Sequence, residues 1–76
     1  MKIEVLGTGC TKCTTLLKVV KEALAKKGGF HSVEKVEDIE KIMSYNVIST
    51  PGLVIDGKVV STGKVLTVDE VLALMD

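Results

Sequence analysis

Apolar residues fall along this chain in short blocks whose spacing switches between strand-like and helix-like. Residues 2–6 hold Ile3, Val5 and Leu6, two of them β-branched, and read as a short strand. Gly7-Thr8-Gly9 breaks it. From about Thr11 to Lys27 the apolar positions Leu16, Leu17, Val20, Ala23 and Leu24 share one face of a helix, with Lys18, Lys21, Glu22 and Lys26 opposite. Lys26 and Lys27 suit the negative end of the helix dipole, and Gly28-Gly29 stops the helix. Phe30 to Val36 is a weaker strand, with Val33 and Val36 its best members. A short helix then follows Asp38 as its cap, carries Ile39, Ile42 and Met43, and ends near Tyr45-Asn46.

Leu53-Val54-Ile55 reads as a strand, Asp56-Gly57 as a tight hairpin turn, and Lys58 to Thr62 as the returning strand. Thr67-Val68-Asp69-Glu70 fits a capping box, with Leu66 and Val71 placed to form a hydrophobic staple. Val68, Val71, Leu72 and Met75 then line one apolar face of a last helix. The expected order is β-α-β-α-β-β-α, an α/β fold. The long helical crossover makes the first two strands parallel, and the hairpin adds two antiparallel ones. The result is a four-stranded mixed sheet with helices on both faces.

Composition narrows the picture. With 76 residues, 1–76 should form a single domain with a thin core. The chain is 46% hydrophobic but has one Phe, one Tyr and no Trp, so Val, Leu and Ile must build that core. Ten basic and ten acidic side chains leave a formal net charge of zero. No basic stripe or set of stacking aromatics supports nucleic-acid binding. No apolar run is long enough to span a membrane, and Met1-Lys2-Ile3-Glu4 does not open a secretory signal, so the expected location is cytoplasmic. In that compartment thiols are kept reduced, and a close cysteine pair is more often catalytic or metal-binding than a structural staple.

Such a pair exists. Cys10-Thr11-Lys12-Cys13 holds both cysteines of the chain, between the first strand and the long helix. Unpaired N–H groups and partial positive charge at a helix start stabilise a thiolate over a thiol. Cysteines so placed fall from a pKa of about 8.5 to roughly 3.5–7.5. Cys10, at the loop edge, is therefore the expected nucleophile, and Cys13, one turn in, the more shielded resolving thiol. Lys12 adds a positive charge that salt screens. Metal binding is the rival use. One CxxC supplies two ligands where structural zinc takes four, and His31 is the only histidine, but two thiolates suffice for Cu(I). His31 itself is expected to be an ordinary surface or strand-entry residue. Tyr45 is expected to pack at the end of the short helix.

A second motif lies downstream. Val47-Ile48-Ser49-Thr50-Pro51-Gly52-Leu53-Val54-Ile55-Asp56-Gly57, followed by Gly63, resembles the segment of thioredoxins and glutaredoxins in which a cis proline precedes the hairpin. With the CxxC, this makes nearly the whole chain similar to small thioredoxin-fold proteins of the redox-active disulfide group. The resemblance implies a thioredoxin-like fold and thiol–disulfide oxidoreductase activity through a Cys10–Cys13 dithiol/disulfide cycle. It implies a disulfide-bearing protein or small molecule as substrate. A reductase or low-molecular-weight thiol would be the electron donor, and no bound cofactor or metal is needed. It places Thr50 and Pro51 against the substrate chain, with Gly63 leaving room beside it. Glu4, six residues before Cys10, matches the offset at which many thioredoxins carry a buried Asp that relays a proton to the second cysteine. A Glu on a strand edge facing solvent is the alternative at that position.

The chain also departs from the larger thioredoxins, whose pattern is Trp-Cys-Gly-Pro-Cys. Gly9 stands before Cys10 and Thr11-Lys12 separates the thiols, so a docking aromatic is missing and the reduction potential does not carry over. Gly63 and Asp69 do not form a glutathione-type Gly-Asp motif. Two other functions compete: a Cu(I) carrier of the heavy-metal-associated type, and a redox-sensing interaction module. The carrier family resembles βαββαβ and ends on a strand, whereas this chain is expected to end on the helix begun at Thr67.

Overall fold

The computed structural model describes residues 1–8, 11–29 and 31–75. It contains β1 (Lys2–Leu6), α1 (Thr11–Lys27), β2 (Ser32–Val36), α2 (Ile39–Ser44), β3 (Gly52–Ile55), β4 (Lys58–Thr62) and α3 (Val68–Met75), the expected order. The four strands form one mixed sheet in the order β2-β1-β3-β4. Central β1 runs parallel to β2 and antiparallel to β3, and β4 closes the hairpin.

Strand alternation divides the core into two layers. Ile3 and Val5 of β1, with Leu53 and Ile55 of β3, face Leu16, Val20 and Ala23 of α1 and Val71 and Met75 of α3. Leu6 and Val54 point the other way and pack with Val36, Ile42 and Val47 beneath α2. Neighbouring side chains on a strand point to opposite faces, so covering both faces of the sheet buries nearly every position of β1 and β3. The six-residue α2 is too short to bury a full apolar stripe. Only Ile42 of it is buried, and Ile39 and Met43 stay exposed.

Local sequence signals account for the joints. Asp56 and Gly57 take φ of 50° and 82°, the left-handed pair of a type I′ hairpin turn. The Asp56 side chain accepts from the Lys2 amide at 2.8 Å, and its own amide donates to the Lys2 carbonyl at 2.7 Å, which ties the turn to β1. The β3–β4 register shifts between Leu53 and Val54, leaving Val60 as the extra residue of β4; Val60 packs against the α1–α3 layer and Val59 against the α2 layer. The capping box of α3 is closed in both directions. The Glu70 amide donates to Thr67 Oγ1 at 3.2 Å, and the Thr67 amide donates to Glu70 Oε1 at 3.0 Å. The Thr67 amide, and to a lesser extent the Thr67 hydroxyl, bond the Glu70 carboxyl and hold it below its ordinary value of 4.5. Leu66 and Val71 are buried in the same layer, as a staple requires.

Among the described residues, no helix is long and apolar enough to cross a membrane.

Candidate active site

Three chain segments meet at the C-terminal end of β1. The first is Gly7, directly after the strand, whose amide donates to the Val36 carbonyl at 2.9 Å and so extends the β1–β2 ladder by one residue. The second is the opening turn of α1, which carries Cys13. The third is the loop 47–51 that leads into β3. Cys13 is fully buried. Its Cβ and Sγ lie so close to Gly7 that they occupy the place where a side chain on Gly7 would stand. Thr50 borders the same spot, its Cβ 3.9 Å from it.

The Thr50–Pro51 peptide bond is cis, in keeping with the resemblance of this segment, and Pro51 is fully buried. The Pro51 carbonyl accepts from the Gly63 amide at 2.8 Å, so β3 and β4 are linked beyond the last paired residues. Gly63 has φ of 69°, and a Cβ on it would come within 3.1 Å of Ser49 Cβ. Both the backbone conformation and the close approach favour glycine there. Thr50 thus lies beside Cys13, and Pro51 and Gly63 are bonded to each other at the same end of the sheet. Lys12 is exposed on the first turn of α1, which carries no acidic side chain to offset it. Gly9 and Cys10 lie outside the described residues, so the expectations for Cys10 stand on the sequence.

Glu4 resolves in favour of burial. It is 3% exposed, on the α2 face of β1 rather than at a solvent-facing edge. Tyr45 Oη donates to Glu4 Oε1 at 3.1 Å. Lys41 Nζ stands 3.5 Å from Oε2 and Lys2 Nζ 3.9 Å from Oε1. Even so, Oε2 accepts no hydrogen bond. Partial burial, the hydrogen bond to Glu4 and that carboxylate's charge hold the Tyr45 phenol above its ordinary value of 10.0. It therefore remains a donor to Glu4 through the neutral range.

His31 is at the far end of the molecule. Its Nε2 bonds to the Gly28 carbonyl at 2.8 Å, past the C-terminus of α1. At about 1.5 Å rise per residue, α1 separates Cys13 from Lys27 by roughly 20 Å. The histidine cannot join Cys13 around one metal ion.

The chain matches a known family along its whole length. The Thioredoxin domain family model matches residues 1–76. The chain belongs to the thioredoxin family. It is similar to a thioredoxin of Methanothermobacter thermautotrophicus, 32% identical over 75 residues, which cover 99% of this chain and 97% of that protein. It is also similar to a thioredoxin of Methanocaldococcus jannaschii, 36% identical over 69 residues, 91% of this chain and 79% of that one. It is a thioredoxin-type redox protein.

Sequence reasoning missed two features of this thioredoxin-family site. Gly7 reads as a strand breaker, yet its φ is not left-handed, so it is the neighbouring sulfur rather than the backbone that requires glycine. Tyr45 reads as a helix-end residue and Lys41 carries no signal of its own, yet both reach Glu4 across the fold. No local pattern signals either contact.

Proposed function

We propose that residues 1–76 act as a single thioredoxin-like domain and a cytoplasmic thiol–disulfide oxidoreductase that cycles between a Cys10/Cys13 dithiol and a Cys10–Cys13 disulfide. The observation that carries this reading is the full burial of Cys13 against Gly7, beside Thr50 and in the opening turn of α1. A thiol so shielded is poorly placed to meet a substrate first and well placed to act second. In the forward reaction the Cys10 thiolate attacks one sulfur of a substrate disulfide. A Cys10–substrate mixed disulfide forms, and the other substrate sulfur leaves as a thiolate that takes up a proton. Cys13 then gives up its proton and attacks the Cys10 sulfur. The bond to substrate breaks, the second substrate thiol is released, and two electrons have passed to the substrate.

Thr50 and Pro51 hold the extended substrate chain, and Gly63 leaves space beside it. Lys12 favours the Cys10 thiolate by its charge. Glu4 modulates the second step as a buried carboxylate able to relay the Cys13 proton. A reductase or low-molecular-weight thiol returns the disulfide to the dithiol, and no bound cofactor, membrane or nucleic acid enters the cycle.

Trapping with a disulfide-bearing substrate tests the assignment. Cys13→Ser is expected to accumulate a mixed disulfide on Cys10, and Cys10→Ser none. The reverse pattern overturns the roles. Stoichiometric Cu(I) binding without any disulfide turnover overturns the activity.

A further inference from the structure

We infer that Gly7 is a positioning residue for the resolving thiol, its missing side chain being the seat on which Cys13 rests. The inference builds on the proposed role of Cys13 and adds a residue outside the thiol pair and the proline loop. Gly7 is buried and its φ lies outside the left-handed region, so no left-handed backbone conformation calls for glycine there. What excludes a side chain is Cys13. A Cβ on Gly7 would collide with Cys13 Sγ and stand 2.9 Å from Cys13 Cβ, against about 3.5–4.0 Å for carbon atoms in contact.

The two collisions have different remedies. Rotation about the Cys13 side-chain bond can move Sγ aside, but it leaves Cβ where the helix backbone puts it. Relief of the Cβ contact therefore requires the first turn of α1 to lift from the end of β1. Gly7 cannot retreat easily, because its amide is bound to Val36. Further along, Leu16, Val20 and Ala23 fix α1 on the sheet. The strain of a methyl group at this position therefore falls on the turn that carries the resolving thiol. A misplacement of about 1 Å at a reacting group can lower a rate by about 100-fold.

A chromophoric aromatic disulfide reports the two chemical steps separately. Attack by Cys10 releases one aromatic thiolate at a rate proportional to reagent concentration. Attack by Cys13 on the resulting mixed disulfide releases the second at a rate independent of reagent, while the Cys10–Cys13 bond forms. In Gly7→Ala the second phase is expected to slow tenfold or more, with the first changed less than about twofold. An unchanged or faster second phase overturns the inference. A wild-type protein with no reagent-independent phase instead overturns the proposed cycle, so the two failures are distinct.

Folding provides an independent readout in urea. Gly7→Ala should lower the folding equilibrium constant at least tenfold with Cys13 present, or prevent folding altogether. In a Cys13→Gly background, where both collisions vanish, the same change should cost less than about threefold. An equal loss in both backgrounds contradicts the assigned contact.

Discussion

Replacing Glu4 by leucine should make this protein more stable and a poorer redox catalyst. Glu4 is 3% exposed among Leu6, Val54 and Tyr45, and its Oε2 lacks a hydrogen bond. An unsatisfied buried acceptor costs about 1–3 kcal/mol, and burying a leucine side chain contributes roughly 1.5–3 kcal/mol. Against this stand two lysine contacts at 3.5 and 3.9 Å, from side chains 43% and 59% exposed. Contacts to lysines this exposed are worth about 0–1 kcal/mol each, and both lysines can return to water. Loss of the Tyr45 hydrogen bond opposes the gain further, though that hydroxyl is only part-buried and can reach solvent. Exchanging a buried ion pair for a side chain of similar volume is typically neutral or stabilising by about 1–4 kcal/mol. A net gain of about 1–2 kcal/mol corresponds to a Tm rise of about 5–15 °C in a domain of this size. Thermal unfolding by circular dichroism, in excess dithiothreitol so that both proteins are reduced, reads it directly. Disulfide-reduction turnover of the same variant should fall about tenfold or more if the carboxylate moves the Cys13 proton. A lower Tm refutes the energetic reasoning. A higher Tm with full turnover refutes the role of Glu4 in catalysis.

The capping box gives two further expectations. Thr67→Ala removes the acceptor of the Glu70 amide and should cost about 1 kcal/mol, seen as a lower urea midpoint with an unchanged slope. Because the folded-state pKa of Glu70 is lowered, its contribution is complete above its unfolded value of 4.5 and is lost as pH falls through the lower folded value. Glu70→Gln should therefore flatten the acid limb of a Tm-against-pH curve, with its largest difference from wild type near neutrality and convergence at low pH.

Periodicity and turn chemistry made most of the fold legible, since both act locally. The spacing of Leu16, Val20 and Ala23, the Asp56-Gly57 turn and the Thr67–Glu70 box each depend on residues a few positions apart, and each appears in the structure as expected. The resemblance of Thr50-Pro51 to a family segment likewise located a loop that lies beside Cys13. What could not be read depends on which residues meet across the fold. A glutamate in β1 is compatible with a solvent face until α2 is known to cover it with Tyr45 and Lys41 above. Gly7 looks like punctuation until α1 sets a sulfur on it. Ile39 and Met43 follow a helical pattern yet remain exposed, because α2 meets the sheet through Ile42 alone of its buried residues.

The central claim is that the two thiols form one two-electron couple. Equilibration in a series of dithiothreitol or glutathione buffers, followed by acid quench and alkylation of remaining thiols, measures it directly. Cys10 and Cys13 should lose alkylation together in a single transition of about 30 mV per tenfold change in the oxidised-to-reduced ratio. Cys10→Ser and Cys13→Ser should each abolish that intramolecular transition. Thiols that oxidise separately, or remain reduced until the protein cross-links to itself, would contradict the account.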